Sequence, residues 1–421
     1  MSFSLSTKPS LCPLTAKLSA TVLISPLPRA MAEPYNIRWG FMAFARDMLI
    51  DPSLRNASDI SHTIAAVASS TSRERAQRFI TDNAIPQPCT AHGSYEALVN
   101  DPDVDIVYIA TPHSHHFQNA MLALSAGKHV LCEKALTVNA AQARILVDTA
   151  RRRGLFFMEA VWTRFFPLSV QIRELVAKGE IGEVLRVIAD TSCGSTDPEG
   201  EWGTAHRMVN MDLAGGVLLD VGVYSLTWVF QTLYHTRPLD HRKPPSSISS
   251  QMIHYPATGA DECSTILLEF PQSTPAGTHK AQGIAMTNFR LISNLDGKWT
   301  AGPTVRIQGT RGEIQVFGYP FHPDSFKVIP LTGLGEAGDA REVREVVGEF
   351  PGEGKGMYWE ADEAARCVRD GKLESETMSW EESLVIMDVM DEARRQGGLK
   401  YPDEIESTEY PVTLGGKKGF A

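Results

Sequence analysis

The sequence predicts an α/β fold in which a parallel sheet covered by helices is followed by a larger, mostly antiparallel sheet. Three observations carry this. Two near-continuous apolar runs, Asp105–Ala110 and Val130–Leu136, flank a helical stretch from about Ser114 to Ser125 that Gly127 stops. That is strand, helix, strand over a span suited to a right-handed parallel crossover with both faces covered. From about Ile181 the pattern changes to longer spans with period-two alternation and Gly- and Pro-rich turns, the signature of antiparallel strands. The 421 residues suffice for two hydrophobic cores, since single cores stop growing near roughly 250 to 300 residues.

The elements follow in order. Tyr35–Met42 and Thr63–Ala68 read as strands, and Ser72 to Ile80 as a helix with Ala76, Phe79 and Ile80 on one side. Glu96–Val99 before Asp101-Pro102 reads as a short helix feeding the strand at 105–110. Asn139 can cap a helix running to Arg153 with Gly154 as terminator, and Leu155–Ala160 is another buried strand. Later strands are expected at Val184–Asp190, Cys263–Phe270, Ala285–Ile292, Thr304–Gln308 and Gly312–Phe317. The segments near 238–259, 271–283 and 331–356 read as surface loops. Helices over Tyr358–Asp370 and Trp380–Gln396 return the chain to the first domain or brace the sheet. The expected division is an extra segment 1–34 outside the fold, a first domain 35–160, a second domain 161–403 with the late helices, and a tail 404–421.

Composition narrows the function. A formal charge of −10 argues against nucleic acid as a partner. Six scattered cysteines without CxxC pairing read as free thiols in a reducing, cytoplasmic setting. No apolar run approaching about 18 residues is apparent, so no membrane span is expected. His113, His115 and His116 lack the partners of a metal site, and no metal is expected. Residues 1–30, rich in Ser, Thr, Leu and Pro with no acid before Glu33, suit a targeting segment or an annexed stretch upstream of Met31. An unpartnered sheet face makes a homodimer the expected assembly.

Three groups carry chemistry. Glu133 and Lys134 leave the end of a buried parallel strand, as Thr111-Pro112 and His116 do, and ligands of parallel sheets bind beyond those carboxyl ends. The alternative is a solvated pair opening a surface helix. Asp220 and Tyr224 are four apart and share a helical face if the helix starts near Leu219. Beside the charge of Lys134, Tyr224 could take an alcohol proton; otherwise it is a buried tyrosine satisfying Asp220. Trp162 and Phe165 can form an apolar wall while Arg164 offers donors to sugar hydroxyls or a cofactor phosphate. Interdomain packing would use the same residues.

Together, Thr-Pro…His at 111–116, Glu-Lys-Ala at 133–135, Glu-Ala-x-Trp-x-Arg-Phe-x-Pro from Glu159, and Gly-Gly-x-Leu-Leu-Asp-x-Gly-x-Tyr ending at Tyr224 resemble the glucose-fructose oxidoreductase (Gfo/Idh/MocA) family. The likeness is greatest to its dimeric dihydrodiol dehydrogenases and fungal NADP-dependent D-xylose 1-dehydrogenases, and covers about residues 35–403. It implies an N-terminal Rossmann domain and a C-terminal α/β domain with an open sheet. By resemblance Lys134 and Tyr224 are catalytic with Asp220 beside them, Ala135 replaces the usual proline, and Trp162 and Arg164 line the pocket. The cofactor set implied is Gly40, Met42, Ala43, Ser69, Ser70, Arg73, Thr111, Pro112, His116, Glu133, Lys134, Trp162 and Arg164.

The second strand ends Val67-Ala-Ser-Ser-Thr-Ser-Arg73 with no acid for a ribose 2'-hydroxyl. Ser69, Ser70 and Arg73 suit a 2'-phosphate, so NADP is the expected cofactor; Arg73 could also simply open a solvated helix. One departure stands out. The family's glycine turn after the first strand is missing, because Trp39–Asp47 contains only Gly40, and Phe44 would crowd a pyrophosphate. Either codons are lost there or dinucleotide affinity is reduced. The expected activity is NADP-dependent oxidation of D-xylose at C1 to its lactone, or of trans-dihydrodiols to catechols. The alternatives are a non-catalytic sugar-binding or regulatory protein with impaired nucleotide binding, and a cyclitol dehydrogenase.

Overall fold

The structure is a computed structural model that describes residues 33–41, 46–274, 277–332 and 342–414. The expected N-terminal segment falls almost wholly outside the described residues. Six strands, β1 (Tyr35–Phe41), β2 (Ile60–Ala68), β3 (Thr90–His92), β4 (Ile106–Ile109), β5 (His129–Glu133) and β6 (Phe157–Ala160), form a sheet. Their order is β3-β2-β1-β4-β5-β6, and every pairing is parallel. This is the strand order of a dinucleotide-binding sheet, whose reversal beside β1 opens a crevice at the carboxyl ends.

Helices α1 (Arg73–Asp82), α2 (Tyr95–Val99), α3 (His113–Ser125) and α4 (Ala140–Arg153) connect these strands. The side chains of Ser72, Ser94 and Asn139 accept from the amides of Arg75, Ala97 and Gln142, satisfying first-turn donors. Gly154 ends α4 in the left-handed region at φ +65, which a side chain would resist. The β1–β2 crossover differs: among its described residues it holds only short 3₁₀ turns, Asp47–Leu49 and Pro52–Arg55.

After α5 (Pro167–Ala177) come β7 (Val184–Ser192), α6 (Pro198–Glu201) and α7 (Val223–Leu233). Then follow β8 (Ser247–His254), β9 (Asp261–Thr274), β10 (Gly277–Asn288), β11 (Val305–Gly309), β12 (Gly312–Tyr319), β13 (His322–Pro330) and β14 (Arg344–Val347). With β7 they form a sheet ordered β14-β13-β12-β11-β7-β10-β9-β8. Only β7 and β10 pair in parallel.

Several sequence expectations are corrected here. The expected loop at 271–283 is a long hairpin, Ala281 opposite Phe270 and Thr278 opposite Ser273, and 289–292 lies beyond β10. The loop at 238–259 contains β8, whose burial alternates along Ser247–His254. Polar Ser250 and His254 on the less exposed face, with Ile253 on the exposed one, hid that period. The expected loop 331–356 contains β14, and its residues 333–341 lie outside the described ones. Met211–Leu233 is long and apolar enough to cross a membrane by composition, but 94% of its window is buried inside the protein. All eleven residues of α7 are buried, as expected of a core helix that is apolar all round.

The last helices, α8 (Tyr358–Arg369), α9 (Trp380–Gly397) and α10 (Asp403–Glu406), bind the two sheets together. Leu373 O accepts from Phe157 N at 3.0 Å and Trp380 Nε1 donates to Phe157 O at 2.8 Å, covering the β6 edge. On α8, Asp362 accepts from Arg55 Nε at 2.7 Å and from His62 Nε2 at 2.8 Å. Trp39 Nε1 lies 3.1 Å from His62 Nδ1, which fixes the ring as an acceptor there and a donor to Asp362. Burial opposes the Asp362 charge, yet Arg55 and His62 hold its carboxyl below the usual value.

Asp362→Ala should therefore destabilise the fold by about 3 to 5 kcal/mol, because it strands a buried guanidinium. The urea midpoint checks it; an unchanged midpoint would show that α8 is held by apolar packing alone.

Candidate active site

Parallel strands deliver their following residues to one edge, and here β5 delivers Glu133 and Lys134. The Lys134–Ala135 peptide is cis. Lys134 Nζ lies 2.5 Å from Asp220 O and 3.2 Å from Asp220 Oδ1. Arg207 Nη1 donates to the same Oδ1 at 2.9 Å. Asp220 stands in a π-helical turn, Leu218–Gly222, that runs directly into α7 and Tyr224. The expected helical face is thus present, with a wider first turn of a kind that recurs at functional sites.

Tyr224 completes the cluster. Its ring centroid is 5.2 Å from Lys134 Nζ, and its hydroxyl accepts from Trp162 Nε1 at 2.7 Å. Phe321 lies 5.7 Å from the Tyr224 ring and stacks on Tyr319 at 5.1 Å, so an aromatic wall faces the phenol. The Glu133 carboxylate accepts from the Tyr108 hydroxyl and from Lys134 N.

Electrostatics separate these groups. Burial raises the Glu133 carboxyl above its ordinary value despite Lys134 beside it. Burial also opposes the Asp220 charge, but Lys134 and then Arg207 hold that carboxyl well below the usual range. Tyr224 is raised well above an ordinary phenol by burial and the neighbouring Glu133, while the Trp162 hydrogen bond works the other way. His113 is pushed down to about 3, by burial and then His116. The resting cluster holds an ionised Asp220 under two cations and a protonated Tyr224, a separation of roles expected of acid-base chemistry.

A second feature lies beyond β2 and β4. A groove of about 300 Å³ is lined by Ser69, Ser70, Arg75, Tyr95, Thr111, Pro112 and His115 among others, with no carboxylate among them. Ser69 and Ser70 line it at the end of β2, and the arginine among its lining residues is Arg75. Arg73 opens α1 exposed, outside that lining. The N-cap at Ser72 sets the helical phase, which turns residue 75 toward the groove; that phase was the available signal.

Other expected residues are elsewhere. His116 is 1% exposed, its ring nitrogens 2.9 Å from Ala135 O and 2.7 Å from Thr111 O. It ties two strand-end loops together and does not line the groove. Gly40 faces the core, where a Cβ would lie 2.9 Å from Val104 Cγ1. Met42 and Ala43 lie outside the described residues. Arg164 is 0% exposed: it forms an ion pair with Glu382 and donates to Thr377 O. His235 Nδ1 is 2.8 Å from the same carboxylate. A guanidinium enclosed this way offers nothing to a sugar or a phosphate, so its expected pocket role is corrected to a structural one. Arg207 was missed because its segment has no periodic pattern.

Comparisons with known proteins bear on this geometry. Residues 44–161 match an oxidoreductase family with an NAD-binding Rossmann fold, and residues 169–315 match the GFO/IDH/MocA C-terminal domain. A D-xylose 1-dehydrogenase (NADP(+)) of Hypocrea jecorina is 50% identical, over 90% of this chain and 97% of that protein. A trans-1,2-dihydrobenzene-1,2-diol dehydrogenase of Danio rerio is 32% identical, over 87% of this chain and 99% of its own length. Aldose-aldose oxidoreductase from Caulobacter crescentus shares the fold, with a TM-score of 0.66, 19% identity and coverage of 87% and 98%.

The placement of Arg164 gives a prediction. Arg164→Lys keeps the charge but loses the forked contact to Glu382, and should cost about 1.5 to 3 kcal/mol of stability. Its Michaelis constant for sugar should stay within about twofold of wild type. A large rise in that constant without loss of stability would return Arg164 to the pocket.

Proposed function

The chain belongs to the GFO/IDH/MocA family of oxidoreductases, and from that premise we propose that it oxidises D-xylose at C1 to the lactone with NADP. The observation that carries the chemistry is the meeting of Lys134, Asp220, Tyr224 and Trp162 beyond the carboxyl end of β5. The substrate reading is supported by the 50% identical relative named for D-xylose and NADP(+).

The groove beyond β2 and β4 suits a nucleotide carrying a 2'-phosphate. It offers Arg75 with two serine hydroxyls and no carboxylate. NADP, when bound, supplies the acceptor for the hydride that leaves C1. The chain's own part is to hold the C1 hydroxyl and take its proton. Tyr224 first loses its own phenolic proton to solvent. Lys134 and the ionised Asp220 orient the C1 hydroxyl, the Trp162 N–H stabilises the phenolate, and as hydride leaves C1 the phenolate takes the hydroxyl proton and becomes a phenol again. Phe321 and Tyr319 exclude water from one side.

The unpaired state of Cys89, Cys132, Cys193, Cys263 and Cys367 supports a cytoplasmic setting. A homodimer is part of the proposal, built on the outer face of the larger sheet, where Leu267 is 41% exposed.

Assaying NADPH formation with pentoses, hexoses and dihydrodiols tests the activity. D-xylose should give the highest kcat/KM; no turnover with any of them would reject the proposal. Tyr224→Phe should lower kcat about 10² to 10⁴-fold while leaving NADP affinity unchanged. Trp162→Phe should cost roughly tenfold or more in kcat, as expected for one hydrogen bond to a charged group, and move the basic pKa of the kcat profile upward. An unmoved profile would reduce Trp162 to a wall.

Arg75→Ala should weaken NADP about tenfold to a hundredfold, from the loss of one charged hydrogen bond, and leave NAD nearly unchanged. Arg73→Ala should do much less. Equal losses for both cofactors on replacing Arg75 would reject 2'-phosphate recognition there.

A further inference from the structure

The helical segment carrying Asp220 and Tyr224 enters from a tight corner, Gly215-Gly216. Its backbone is held on several sides: Gly215 N donates to Asn210 O and Gly216 N to Met208 O, each at 2.9 Å, and Tyr401 Oη donates to Gly215 O at 3.1 Å. Gly216 sits at φ +126, and a Cβ there would lie 1.9 Å from Asp261 Oδ1. The corner must be glycine because a carboxylate occupies the space beside it.

That carboxylate belongs to Asp261, the first residue of β9, and is 0% exposed. Its Oδ2 accepts from Leu218 N at 2.7 Å and from Ser264 Oγ at 3.2 Å. Oδ1 is buried without a hydrogen-bond partner. A buried carboxylate left half satisfied is costly, and is kept here against the first amide of the π-turn, where the positive end of the helix favours an anion. Burial pushes this carboxyl up to about 6, while the hydrogen bonds from Leu218 N and Ser264 favour its charged form.

We propose that Asp261 is a positioning residue for Tyr224: by gripping Leu218 N from β9, it fixes the π-turn and hence the phenol against Trp162 and Lys134. The proposal rests on the reading of Tyr224 as the proton acceptor. Asp261 itself touches none of Lys134, Tyr224 or Trp162. Its effect is therefore on the placement of the reacting oxygen and not on binding.

The test is Asp261→Asn in the full-length enzyme, assayed with D-xylose and NADP. The amide is of equal size but must either accept weakly from Leu218 N or oppose it with a donor. We expect kcat to fall about tenfold, the order of one charged hydrogen bond, with the Michaelis constant and NADP affinity within about twofold of wild type. In a Tyr224→Phe background the same substitution should cost less than about twofold, since the group it positions is gone. A loss of melting temperature with normal kcat would overturn the proposal, as would an equal loss of kcat in the Tyr224→Phe background. Should Asp261→Asn fail to fold, Ser264→Ala removes the second donor alone and should show the same split at about two- to fivefold; an unchanged kcat there overturns the proposal. Near-normal turnover of Tyr224→Phe alone would instead sink the proton-acceptor role, and the positioning role with it.

Discussion

The site is organised by one contact between the two halves of the chain, Lys134 on Asp220. Lys134 leaves the parallel sheet and Asp220 stands on the turn leading into α7, so the contact fixes the phenol of the second half against the strand ends of the first. Asp220 is 6% exposed, and a carboxylate so buried stays ionised only if cations stand close. Lys134 and Arg207 meet that requirement at 3.2 and 2.9 Å. The other arrangements follow from it. Lys134 turns toward Asp220, so Glu133 relies on the Tyr108 hydroxyl. Tyr224, facing the side of the ammonium, takes its hydrogen bond from Trp162.

A contact of this length tolerates little drift, and the surroundings are rigid to match. Every residue of α7 is buried, and its hydroxyls bond inward, Thr227 to Val223 O and Thr232 to Trp228 O. Arg173 donates to the Arg164 carbonyl and to Gln231 on α7. The buried charges around Arg164 thus brace the helix from behind. The same residue type that would bind a sugar at the surface instead fixes the helix that presents the tyrosine.

What the sequence revealed and what it hid divide along physical lines. Lys134, Asp220 and Tyr224 were legible because a charge at the end of an apolar strand, or a tyrosine one turn past an acid, contradicts its local pattern. Arg164 followed the same logic and misled, since an ion pair with Glu382 lies 218 residues away and leaves no local trace. Arg75 and Arg73 differ only in helical phase, which the N-cap at Ser72 sets. The parallel sheet was plain from apolar runs, whereas β8 and the far half of the β9–β10 hairpin were not. Their strands are stabilised by neighbours across the sheet, and Pro271, opposite Lys280, interrupts the local signal. Arg207 and Asp261 act on the site from a patternless loop and from a strand end, positions that only the tertiary fold defines.

The resting arrangement also sets what a substrate has to change. Tyr224 is protonated here, and the nearest ammonium is committed to Asp220, 2.5 Å from its carbonyl and 3.2 Å from its carboxylate. A phenol in that state cannot act as a base. The phenolic proton has to leave to solvent first, and a substrate hydroxyl placed between Lys134 and Tyr224, accepting from the ammonium, would draw the cation off Asp220 and toward the phenolate that this loss leaves. On the proposed reading, substrate binding thus favours ionisation of the base, and the phenolate then takes the hydroxyl proton as hydride leaves C1. The enzyme avoids keeping a phenolate in an empty pocket, where burial and the charge of Glu133 both oppose it. The phenolate is favoured only once a substrate hydroxyl has drawn Lys134 toward it, and taking the hydroxyl proton discharges it again, while the Phe321 and Tyr319 rings close one side of that position.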